Sequence, residues 1–159
     1  MKSPLTIRVV AIADLTSEAL ARWRQLQACS PELQSPFFAP EFALTFGAAG
    51  RAVEVGLIEI GDALVGIFPF ERGSLSRSRL SDRLMATMGA SCPVGRRLSD
   101  SHGLISKPEV CISSDFLLRK CGLTTWDFHR LPASQSTFAP SATGQLEWSI
   151  IDLRDGHAA

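Results

Sequence analysis

The sequence predicts an α/β (α+β) domain built on one mixed sheet with helices on its faces. Three observations predict it: two apolar, strand-like runs joined by a two-residue turn signal in mid-chain, helical spacing of apolar residues before and after them, and enough apolar content to build a core. Apolar residues make up 45% of the chain and charged residues 20%, a mixture unlike that of a disordered tail. A chain of 159 residues fits one domain, which on folding buries roughly 70% of the surface its unfolded form exposes, so residues 1–159 read as a single unit.

Leu5 to Ile12 carries Ile7, Val9 and Val10, a β-branched run that favours pleated backbone and reads as a first strand. The period then changes. Thr16 is placed as an N-cap with Glu18 in the first turn, and Leu20, Trp23 and Leu26 form an apolar stripe at helical spacing while Arg22 and Arg24 turn outward. Ser30-Pro31 and Ser35-Pro36 break that helix, because a residue before proline is pushed out of the α region. Pro40 suits the first turn of a second short helix that puts Phe42 and Phe46 on one face. With Phe37 and Phe38 they make an aromatic cluster, read as a core wedge in preference to a ligand-stacking platform, since phenylalanine has no polar handle.

Val53 to Ile60 and Ala63 to Phe70 are strands joined by Gly61-Asp62, a pairing that suits a type II′ hairpin. Pro69 cannot donate to a ladder, so the second strand needs an open N–H side or a bulge near its end. Leu75 to Leu80 reads as a further short strand and Ser81 to Arg97 as irregular. Gly103 to Ile105 is a strand fragment, Glu109 to Cys121 a helix closed by Gly122, and Thr124 to Phe128 a strand. Leu131 to Thr143, rich in Pro, Ser and Ala, is a loop, and Leu146 to Leu153 a last strand.

Charge excludes some functions. Lys+Arg and Asp+Glu both number 16, so no net field draws the chain to nucleic acid or an anionic membrane. The local excess of Arg72, Arg77, Arg79, Arg83, Arg96 and Arg97 is diluted by Ser, Gly and Asp and reads as a solvated loop. Cys29, Cys92, Cys111 and Cys121 stand far apart without a C-x-x-C pair or a histidine at ligand spacing, which predicts reduced thiols and no metal site. The N-terminus lacks a signal-peptide core, and no window reaches the ~18 apolar residues of a membrane span, so a cytoplasmic location is expected.

The order β, α, α, β, β, β, irregular, α, β, loop, β resembles the GNAT-like acyl-CoA N-acyltransferase fold. Four segments carry a closer resemblance: SPFFAPEFA at Ser35 to Ala43, VGIFPFER at Val65 to Arg72, LSDSHGLI at Leu98 to Ile105, and CGLTTWDFHRLPASQ at Cys121 to Gln135. They look like the N-terminal half of the CelD-type acetyltransferase family associated with cellulose biosynthesis, over Leu5 to Leu153. In that family a second GNAT-like domain follows, to which acetyl-CoA or other acyl-CoA binding is assigned. The resemblance therefore implies a non-catalytic first half, with no cofactor for this chain alone and with a second GNAT-like domain or another chain as partner. Its end, Ile151 to Ala159, falls near the crossing into the second half, which implies a fragment or a shortened gene product. One departure is Ser101, where an aromatic residue before His102 is expected.

The residues themselves carry little that acyl-transfer chemistry needs. A [QR]-x-x-G-x-[GA] phosphate loop between strand and helix is matched only by Arg119 to Thr124, which fails at its last position and lies at a helix end, where the dipole repels anions. No tyrosine supplies a general acid. Asp100-Ser101-His102 has three triad residue types, but neighbours in sequence do not form a nucleophile, base and orienter chain, and a polar turn is the plainer reading. Gly89 to Pro93 misses the nucleophile-elbow pattern at its last residue. Strand alternation puts Asp127 and His129 on one face, where His129 is a structural histidine or, as the alternative, a base. Asp100, His102, Asp127, His129, Ser134 and Gln135 are thus the candidate lining of a cleft between two halves, with no catalytic residue assigned. A stand-alone binding module pairing through a sheet edge is the competing expectation.

Overall fold

The computed structural model describes residues 3–73 and 88–144. They form strands β1 (Leu5–Ala11), β2 (Val53–Ile60), β3 (Ala63–Arg72), β4 (Ala90–Cys92), β5 (Ile105–Ser106) and β6 (Thr125–Trp126). The helices are α1 (Ser17–Ala28), α2 (Pro40–Ala48) and α3 (Ser114–Lys120). The expected strands at Leu75 to Leu80 and Leu146 to Leu153 lie outside the described residues.

The sheet is mixed, in the order β1-β2-β3-β4-β6, with β5 also on β3. β1, β2 and β3 form an antiparallel meander. Gly61 turns its hairpin at φ 59 while Asp62 keeps a negative φ, which is the type II′ arrangement. β4 pairs with Glu71 and Arg72 of β3, β5 with Gly66 and Ile67. Pro69 falls between these partners. Arg72 N–H points to Ala52 on the β2 side and Gly73 N–H to Ala90 on the other, so alternation turns the donor-free nitrogen of Pro69 to the gap between β4 and β5. β4 and β6 run parallel, which requires a crossover, supplied by the connection that carries β5 and α3.

Two apolar layers sandwich the sheet. On one face Val53, Val55, Leu57, Ile67 and Ile105 meet Trp23 and Leu26 of α1 and Ala43 of α2. On the other, Ile58, Phe68 and Phe70 meet Leu117 of α3, Trp126 and Phe138. Thr16 caps α1 as expected, its hydroxyl accepting from the Ala19 amide at 3.1 Å. The Trp23 indole donates to the Phe38 carbonyl at 2.7 Å, which ties α1 to the turn before α2.

Three expectations are corrected. Ala90 to Cys92, read as irregular, is a strand because cross-strand partners on both sides hold three residues with little strand propensity of their own. The helix expected from Glu109 begins at Ser114, since Ser113 adopts extended backbone and its hydroxyl accepts from the Phe116 amide at 3.3 Å. The strands expected at Gly103 to Ile105 and Thr124 to Phe128 shrink to the residues that find partners.

Candidate functional site

The polar turn at 99–103 is built by short-range bonds and then fastened to the segment after β6. Ser99 Oγ donates to the Ser101 carbonyl at 2.9 Å. The Asp100 carboxylate accepts from the Arg130 guanidinium, and the His102 amide donates to the Arg130 carbonyl at 2.9 Å. Gln135 completes the joint: its Oε1 accepts from Leu104 N at 2.7 Å and its Nε2 donates to Leu104 O at 2.9 Å. The side-chain amide thus does for Leu104 what a neighbouring strand does for a ladder residue. Gly103 makes the approach possible, for at φ 142 an added Cβ would lie 2.2 Å from Gln135 Oε1.

His102 is 3% exposed and its Nε2 has no hydrogen-bond partner among the described residues. Burial, then the nearby His129 and Arg130 charges, push the imidazole down to about 4, against smaller opposing effects of Asp100 and a bond to the Ser101 backbone. It is neutral at pH 7. A neutral imidazole with an open nitrogen has the form of a base, yet this one is sealed, and a base must come within ~3 Å of the proton it takes.

The structure brings some of the six expected residues together. Asp100, His102 and Gln135 converge, with His129 exposed beside them. Asp127 is placed by its amide, which donates to the Ser91 carbonyl at 3.1 Å, and Ser134 by its amide, which donates to Glu32 Oε2 at 3.1 Å. Gln135 is buried and both its polar atoms are engaged inward. No metal-holding group of three His, Cys, Asp or Glu occurs among the described residues. A shallow depression of about 350 Å³ at Cys111, Ser113, Ser136, Thr137 and Pro140 includes none of the six.

A buried carboxylate was missed by sequence reasoning. Glu71, 2% exposed, accepts from Arg51 Nε at 2.8 Å through Oε2 and from the Gly95 amide at 2.8 Å through Oε1. It thereby holds a turn in which Gly95 and Arg96 both have positive φ, 76 and 50. Its signal in the sequence was only a charge following an apolar run. Burial raises the Cys92 thiol beside it to about 11 and the Cys121 thiol to about 12, so neither is a thiolate nucleophile at pH 7.

Each α-helix among the described residues has an acidic residue in its first turn. In α1 Thr16 caps the Ala19 amide and in α3 Ser113 caps the Phe116 amide, and Glu18 and Asp115 add a carboxylate to each first turn. α2 opens with Pro40 and Glu41, whose carboxyl the Arg24 hydrogen bonds hold below the usual range. A diphosphate at the start of α1 or α3 would meet a carboxylate already in place, and at α2 one already paired with Arg24. At Arg119 to Thr124 the helix instead ends: Leu123 N bonds Leu118 O and Gly122 N bonds Arg119 O, a Schellman closure. The Arg72 guanidinium covers it, donating to Gly122 O at 3.1 Å and Cys121 O at 3.0 Å.

Protein-family models, curated proteins and solved structures give no match to the chain. Among the described residues no helix is long and apolar enough to cross a membrane.

Proposed function

We propose that the chain is a non-catalytic, GNAT-like domain equivalent to the N-terminal half of a CelD-type acyltransferase linked to cellulose or exopolysaccharide biosynthesis. On this reading acetyl-CoA or another acyl-CoA is held by a second GNAT-like domain, in the same polypeptide or another chain. This domain supplies one wall of the working enzyme. The observation that carries the non-catalytic part is that each described helix start has an acidic residue in its first turn, Glu18, Glu41 and Asp115, where an acyl-CoA diphosphate needs free amides and no competing carboxylate. Further support is that three of the four family-like segments pack on one another: the Phe68 ring of VGIFPFER lies 5.1 Å from that of Trp126 in CGLTTWDFHRLPASQ, whose Gln135 grips Leu104 of LSDSHGLI.

Calorimetric titration with acetyl-CoA tests the proposal, first on the chain alone and then on its fusion to a candidate second half. Saturable heat is expected for the fusion only. Micromolar binding by the chain alone overturns it.

A stand-alone binding module is the second reading, favoured by β1, whose seven residues lie at the end of the strand order with one side unpaired among the described residues. A concentration-dependent dimer in light scattering, lost on Val9→Pro, would favour it.

A further inference from the structure

His102 is a titratable group that the proposed function does not use. Its loop is fastened to the 130–135 segment by the Asp100–Arg130 ion pair, the His102 amide to the Arg130 carbonyl, and the two Gln135 bonds to Leu104. The joint rests on β3 through β5. On balance it disfavours a proton on the imidazole, because burial outweighs the opposing effects of Asp100 and the Ser101 backbone. The charged and titratable groups acting on His102 are His129 and Arg130, which oppose a cation there, and Asp100, which favours one but already bonds Arg130.

We propose that the 99–105 loop is an acid-released latch: with His102 neutral it packs against the 130–135 segment, and a proton on His102 drives it into water while the β1–β2–β3 meander stays folded. The sign follows from linkage. The closed loop holds His102 at about 4 against an ordinary 6.5, so the closed form keeps its full stability above pH 6.5 and loses it as pH falls toward 4. Opening separates Gln135 from Leu104 and uncovers the outer edge of β3 at Ile67, the partner of Ile105. It is therefore a conformational change confined to one sheet edge.

Amide hydrogen exchange on the full chain, corrected for the intrinsic rate and compared at about pH 7 and about pH 5.5, tests the latch. Opening at the Leu104 amide is expected to rise roughly tenfold at the lower pH, a value set by the ordinary and buried positions of the imidazole, while Val55 and Leu57 amides hold. In His102→Phe, which cannot take the proton, that rise is expected to vanish. In the wild-type chain the rise is expected to follow the His102 Cε1–H resonance, so the decision does not depend on the variant folding. Unchanged Leu104 protection, a loss shared equally by Val55 and Leu57, or a rise that does not follow the His102 resonance would overturn the proposal.

Discussion

Trp23 joins α1 to the turn before α2 in two ways: its indole is 1% exposed against the sheet, and its N–H reaches the Phe38 carbonyl at 2.7 Å. Trp23→Ala removes both the buried area and that bond, and is expected to cost ~3 to 5 kcal/mol in denaturant melts. Glu71 is the second pivotal side chain. Glu71→Ala leaves the buried Gly95 amide without its acceptor and is expected to cost at least ~1 to 3 kcal/mol by the same measurement, with Glu71→Gln costing less because an amide oxygen can still accept. A reversed order would show that charge, not the bond to Gly95, is what the turn needs. Trp23 was legible as the centre of an apolar stripe; Glu71 was not, because its partners Arg51 and Gly95 are distant in sequence and no spacing announces them.

At the scale of elements, local chemistry marked the long pieces well and left the bounds of the short strands, and the existence of β4, to tertiary pairing. The Thr16 cap, the Gly61-Asp62 turn and the Gly122 helix end each act within a few residues, and their sequence signals are correspondingly direct. β4, of three residues, is made by pairing and went unannounced, while β5 and β6, of two residues each, were announced but with bounds that only their partners fix. The joint between the 99–105 and 130–135 segments is the same case, with one testable contact at its centre. Gly103→Ala would put a methyl 2.2 Å from Gln135 Oε1 on backbone at φ 142. The expected cost is at least ~1 to 3 kcal/mol from the backbone alone, read by thermal or denaturant unfolding. Near-neutral behaviour would mean that Gln135 does not grip the loop.

Over the whole molecule, the mixed sheet between two apolar layers follows from patterning that was readable: β-branched and apolar runs at Leu5 to Ala11, Val53 to Ile60 and Ala63 to Arg72, and helical stripes before and after them. The candidate site was legible only as a set of polar residues near Asp100 and His129. Which of them meet depends on tertiary contacts through Arg130 and Leu104 that no periodicity encodes. The non-catalytic reading rests on a feature shared by the three α-helices among the described residues, a carboxylate in each first turn. The most direct measurement is a titration of the isotopically labelled chain with acetyl-CoA, following the Ala19, Phe42 and Phe116 amides at the three helix starts. No saturable shift is predicted up to about 1 mM, the weak end of the usual substrate range. A saturable shift at any one of these amides with a micromolar midpoint would contradict the account.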